Sequence, residues 1–159
     1  MRVKRLLYKQ KIPTGIEEVW DFFSNPRNLA EITPPDMHMR ITNEVDTGSL
    51  YEGMIINYTL FPFLNLPVRW STQITHVGKP YEFWDEQKYG PYEYWHHRHL
   101  FREIPEGVEM TDIIEYKTPF GFFGEMLNQL LIHSRLEYVF SYRKKKIEEI
   151  FGAMRSVAT

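Results

Sequence analysis

The stretch YWHHRHLF, Tyr94 to Phe101, packs three of the chain's six histidines into four positions. Imidazoles this close together suit three kinds of chemistry. They can ligate a metal, act as a general base, or hydrogen-bond inside a buried pocket. Which of these applies depends on the face each ring takes. In a β-strand successive side chains point to opposite faces. One face then carries Tyr94, His96, Arg98, Leu100 and Arg102, and the other Trp95, His97, His99 and Phe101. The second face has aromatics at both ends and no formal charge, so it is the inner one, and His96 points to solvent.

The neighbouring segments place acids on the same side. Alternation turns Phe83, Asp85 and Gln87 inward in one strand, and Met110, Asp112, Ile114 and Tyr116 inward in another. The turns set the register. With Pro105-Glu106 at the centre of a tight turn, Ile104 faces Gly107, His99 faces Asp112, and Trp95 faces Tyr116. With the Gly90-Pro91-Tyr92 turn centred near Pro91, Asp85 faces His97 and Gln87 faces Trp95. Directly opposed residues have Cβ atoms about 4.5–5.5 Å apart. The expectation is two Asp–His pairs, Asp85 with His97 and His99 with Asp112. A one-residue bulge near Gly107 would break the second. A buried carboxylate that accepts from an imidazole N–H is partly compensated. The acids should therefore titrate low and the imidazoles hold their protons to higher pH.

The pairing counts against a metal. His-x-His on a strand suits zinc, but an aspartate opposite each ring engages its nitrogens, and no third and fourth ligands are evident. No metal and no cofactor is expected. The inward aromatics Tyr58, Trp70, Trp95 and Tyr116 read first as core and second as ligand wall. No Ser-His-Asp arrangement, phosphate loop or nucleotide fingerprint is present.

Composition narrows the classes further. The chain has 159 residues, 43% of them hydrophobic and 16% aromatic, with a formal charge of −2. One domain over 1–159 is expected. Such a charge is no footprint for nucleic acid or an anionic membrane. The absence of cysteine excludes a disulfide framework, a thiolate metal site and a cysteine nucleophile. No apolar run is long enough to insert stably in a membrane, and no signal peptide is legible, so a cytoplasmic protein is expected.

The elements that position the inner face follow from periodicity. A first strand covers Val3 to Ile12. Thr14 caps a short helix with Glu17 as its capping-box partner. Asn25 and Pro26 open a second short helix, which ends before Thr33-Pro34-Pro35. Six strands follow: Met37–Thr42, Met54–Leu60, Val68–Val77, Phe83–Tyr89, Tyr94–Ile104 and Val108–Thr118, joined by Gly/Pro turns. A proline-free helix spans about 120–151, with Met126, Leu130, His133, Leu136 or Glu137, Phe140, Arg143, Ile147 and Ile150 on its inward stripe. Its first half, apolar nearly all round, should be covered on more than one side. The run Arg143 to Lys146 reads as a solvated helix end. Gly121-Phe122-Phe123-Gly124 reads either as a portal to a cavity or as a plain strand-to-helix turn.

The fold class is α+β: a curved seven-stranded antiparallel sheet wrapped around a long C-terminal helix, with two short helices between strands one and two. This order, with VWDFFSNPRNLAEITPP, GMIINYTL, VRWSTQI, FWDEQKYGPYEYWHHRHLF and VEMTDIIEYKTPFGFFG, resembles the START-like (SRPBCC, helix-grip, polyketide cyclase-like) superfamily and its bacterial branch. The resemblance covers nearly the whole chain. It implies an internal cavity, and it carries no catalytic residues to this chain. The fold hosts carriers, receptors, cyclases and stress proteins alike.

The expected function is a carrier or binding protein for a small, mostly apolar molecule such as a lipid, quinone or polyketide. The expected contacts are Tyr58, Trp70, Asp85, Gln87, Trp95, His97, His99, Asp112, Tyr116, Leu130 and His133. One alternative is a cyclase, dehydratase or hydrolase-type enzyme with His97 or His99 as general base and Asp85 or Asp112 as its orienter. Another is a stress or interaction protein acting through its surface. No protein partner is legible.

Overall fold

The computed structural model describes residues 2–46 and 48–154. The elements run β1 (Lys4–Ile12), α1 (Ile16–Phe23), α2 (Asn28–Glu31), a 3-10 turn (Pro35–Met37), β2 (Arg40–Ile41), β3 (Ile55–Phe63), β4 (Leu66–Gly78), β5 (Glu82–Tyr89), β6 (Tyr94–Ile104), β7 (Gly107–Lys117), α3 (Gly121–Leu127), a π-helical turn (Asn128–Ile132) and α4 (His133–Phe151). The seven strands form one antiparallel sheet in the order β1-β7-β6-β5-β4-β3-β2. Strands two to seven follow one another as a meander, and β1 returns to pair with β7. The α+β helix-grip class read from the sequence is the observed one.

The register of the central strands is as the turns predict, except that the β5–β6 pairing ends at Glu86–His96, so the expected Gln87–Trp95 pair is not made. Ile104 pairs with Gly107, His99 with Asp112 and Trp95 with Tyr116, and Asp85 pairs with His97. No bulge interrupts β6–β7. Gly107 keeps this turn tight beside β1: its φ is 151°, and a Cβ there would stand 2.1 Å from the Ile12 carbonyl oxygen.

The first helices begin later than expected. Gly15 takes the N-cap position of α1, and no side chain caps it. Thr14 lies one residue further out and bonds to the Glu18 carboxylate instead, so the capping box does not form. Asn25 accepts from the Arg27 backbone N–H at 3.1 Å, and α2 starts only at Asn28. β2 is shorter than Met37–Thr42, because Pro35 opens a 3-10 turn and His38 then takes a left-handed φ of 43°.

The largest difference lies in the C-terminal helix. Its buried stripe runs Gly124, Asn128, Leu136, Phe140, Arg143 and Ile147. The π turn adds backbone to the helix and rotates what precedes it. Leu130 and His133, expected inward, are exposed, and so is Met126. The first half is not covered on several sides: Phe122, Phe123 and Leu130 are 79%, 68% and 66% exposed. Gly124 is buried against the strand-to-helix turn, where a Cβ would meet the Pro119 carbonyl oxygen at 1.8 Å.

The interior divides into two apolar clusters. One gathers Ile12, Val19, Trp20, Phe83, Phe101, Met110 and Ile147. The other gathers Trp70, Trp95, Ile114, Tyr116, Leu136 and Phe140. On β6, His97 and His99 fall between Trp95 and Phe101. On β7, Asp112 falls between Met110 and Ile114. On α4, Arg143 falls between Phe140 and Ile147. A polar band therefore crosses the molecule where the two cores meet.

The helix phase is testable by truncation. Ile147 is 1% exposed, and Ile147→Ala should cost about 2–5 kcal/mol in chemical denaturation. Leu130→Ala, on the outer face, should stay within about 0.5 kcal/mol of the parent.

Candidate functional site

A cavity of about 270 Å³ lies between the sheet and α4, with the residues around α2 at one side. Tyr58 and Trp70 line it from β3 and β4, Asp85 from β5, and Trp95, His97 and His99 from β6. Leu136, Phe140 and Arg143 close it from α4. Aromatic contacts hold the walls. Tyr58 stacks on Trp70 at 5.9 Å, Trp95 meets Trp70 edge-on at 5.2 Å, and Tyr92 packs on Trp95 at 4.8 Å. These rings surround the space without filling it.

Six of the expected contacts line the cavity: Tyr58, Trp70, Asp85, Trp95, His97 and His99. The other five do not, each for a physical reason. Gln87 bonds the backbone of Tyr92 twice, at 2.7 and 3.2 Å, and so closes the β5–β6 turn. Asp112 sits behind the histidines, 2% exposed. The Tyr116 hydroxyl donates to Asn128 at 2.9 Å, tying β7 to the π turn. Leu130 and His133 face out because of that turn. No residue from 120 to 131 lines the cavity, so the Gly121–Gly124 segment is no portal to it.

The four-residue polar cluster is more tightly joined than two separate pairs. Directly opposed residues are not the shortest contacts. His97 Nε2 lies 2.8 Å from Asp112 Oδ1, and His99 Nε2 lies 3.0 Å from Asp85 Oδ2, both across the diagonal. The long imidazole reaches past its opposed neighbour to the next pair. His99 Nδ1 is also 3.1 Å from Asp112 Oδ1, but off the N–H direction, so it makes no hydrogen bond. His97 Nδ1 stands 3.8 Å from Asp85 Oδ2. The two rings pack at 3.8 Å, and His99 stacks on Phe83 at 4.2 Å.

Protonation follows from this geometry. Burial alone would raise the Asp112 carboxyl. The hydrogen bond from His97 and the close approach and charges of His97 and His99 outweigh it and hold Asp112 well below the ordinary range. Burial also works against His99, but its contacts with Asp112 and Asp85 win and raise it. His97 departs from the expectation. Burial and the neighbouring charge on His99 outweigh its bond to Asp112, so its pKa falls. One proton is favoured between the two rings, and His99 holds it.

Arg143, which the sequence places both on the inward stripe and in a basic run, is 8% exposed. Its guanidinium lies over the Phe140 ring at 4.7 Å. The stripe it shares with Leu136, Phe140 and Ile147 decides its place, and the solvated reading of the run does not hold for it. Burial pulls its pKa down, and the charges of Asp112 and Asp85 oppose this.

Asp85, His97 and His99 each offer a ligand atom, all within 4.8 Å of one another. A divalent cation there would join a buried guanidinium and a ring that favours its proton. Both His–Asp hydrogen bonds would also have to be rearranged. The donor set fits a proton network better than a metal.

The site and sheet define a helix-grip fold with a lined interior. Among known proteins, no family model matches the chain, and no curated protein matches it. Solved structures do. A Mycobacterium smegmatis protein superposes with a TM-score of 0.70 at 16% identity, over 98% of this chain and 99% of that one. A Chromobacterium violaceum protein gives 0.72 at 8% identity, over 94% and 98%. Major latex-like protein 151 of Panax ginseng gives 0.68 at 11% identity, over 94% and 97%. At these identities the likeness establishes the fold.

Histidine NMR tests the proton assignment. His99 should titrate above 6.5 and His97 below it. The linkage signs differ accordingly. His99 contributes stability present below 6.5 and lost as pH rises through its raised pKa. His97, buried neutral, makes the fold lose stability as pH falls below 6.5. The Asp112 contribution is present above 3.8 and lost as pH falls below it. Asp112→Asn should cost about 3–5 kcal/mol in denaturant titration, because it strips the cluster of the carboxylate both rings face.

Proposed function

We propose that this START-like chain binds a small, mostly apolar molecule between sheet and C-terminal helix, as a carrier or binding protein. A lipid, quinone or polyketide-like compound is the class of guest. The observation that carries this reading is the cavity itself. Four aromatic rings, Tyr58, Trp70, Tyr92 and Trp95, stand around it, and the space between them stays open. An interior evolved only for stability would close on such rings, since voids forfeit dispersion contacts. At about 270 Å³ the space suits a small guest better than a large lipid.

One observation favours a second reading. His97 lines the cavity, is held toward its neutral form, and is oriented by Asp112 at 2.8 Å. A neutral imidazole steadied by a carboxylate is the usual form of a general base. In that case the bound molecule would be a substrate for proton abstraction.

Native mass spectrometry of protein purified from its own cells is expected to show a bound apolar molecule. Leu136→Trp, which fills the cavity from α4, should abolish it with circular dichroism unchanged. Protein that arrives empty in the parent form would contradict the reading. Conversion of the guest by the parent and its loss in His97→Gln, with binding retained, would favour the enzyme.

A further inference from the structure

Arg143 faces the cavity from the helix with no hydrogen-bond partner for its buried Nε among the described residues. No carboxylate lies within ion-pair distance of it among those residues, although Asp85 and Asp112 are close enough for their charges to act on it. Its guanidinium lies over the face of Phe140. A buried charge left without a partner is costly, and a guanidinium presents five donors and no acceptor. Trp70 Nε1, also on the cavity wall, is a second buried donor without a partner. Arg135 contributes a third unmatched N–H at the wall, though its other end is held by Asp36 at 2.8 Å. His99 Nδ1 is the fourth unmatched nitrogen there, beside Asp112 Oδ1 at 3.1 Å but off the hydrogen-bond direction. No buried side-chain oxygen on the wall is unmatched among the described residues. The cavity is short of acceptors.

Resting on the binding reading above, we infer that the guest is an apolar acid whose carboxylate pairs with Arg143 while its apolar body lies among Trp70, Trp95 and Leu136. The anion supplies acceptors for the unmatched donors. It also supplies the direct ion pair that Asp85 and Asp112, already engaged with the two histidines, do not make with the guanidinium. Arg suits this role better than Lys, because its planar fork accepts a carboxylate through two parallel hydrogen bonds. The guest's uncharged end is left to dispersion and area burial, which are tolerant of its shape.

Matched probes test this. Decanoate and 1-decanol share a chain and differ in the head group. Binding to the full chain at neutral pH can be followed by tryptophan fluorescence. Decanoate is expected to bind about ten- to a hundredfold more tightly than the alcohol, the worth of a charge-assisted pair. Arg143→Met should remove that preference and leave the alcohol's affinity within about threefold. If this variant fails to fold, Arg143→Lys should keep part of the preference, and the parent comparison stands without either. Equal binding of both probes to the parent overturns the role of Arg143 and leaves the binding reading intact. A preference that survives Arg143→Met also overturns it. Binding of neither probe overturns both readings.

Discussion

A single buried carboxylate organises the middle of this protein. Asp112 is almost fully enclosed, and its Oδ1 lies within hydrogen-bond distance of nitrogens from both inward histidines. Left alone, such a group would protonate or destabilise the fold. Bonded to His97 and close to His99, whose hold on a proton it strengthens, it is kept toward its ionised form. The cluster then accounts for its neighbours. Asp85 takes the outer end of His99, and the remaining positive charge, Arg143, comes across the cavity from α4. The two apolar clusters meet along this band. The sheet register therefore has to be kept: a slip of one residue would turn His97, His99 and Asp112 outward and Arg98, Ile113 and Glu115 inward.

The register was readable because strands have a period of two and because Pro and Gly mark their turns. Pro105-Glu106-Gly107 alone aligns eleven residues of β6 with eleven of β7. Side-chain reach was not readable from pairing. Opposed Cβ atoms say which residues are near, but an imidazole extends far enough to prefer the diagonal partner, and the observed bonds cross. The proton distribution was misjudged for a related reason. Treated one pair at a time, each histidine gains a carboxylate. Treated together, the rings repel each other's charge, and only one keeps its proton easily.

The helix was legible in extent and not in phase. A proline-free run with apolar spacing predicts the length well. The stripe from Leu136 to Ile147 was read correctly, and the one before it was not, because the π turn at Asn128–Ile132 leaves no mark in periodicity. Tyr116 explains why the turn sits there: its buried hydroxyl takes Asn128 as partner, which brings that residue inward. Leu130 and His133 swing out as a consequence. Arg143 carries two sequence readings, an inward stripe position and a solvated basic run, and the stripe prevails.

Cavity, proton network and lone guanidinium together describe an interior shaped for a guest with one polar end. The four tryptophans report on this directly. Trp70 and Trp95 line the cavity, Trp20 lies in the other apolar cluster, and Trp84 is on the sheet's outer face beside Arg98. Their four indole N–H resonances can be followed in one two-dimensional NMR experiment as decanoate is added. The account predicts saturable shifts of the Trp70 and Trp95 signals, with Trp84 unmoved. Shifts confined to Trp84, or no shift at Trp70 at saturating probe, would contradict it.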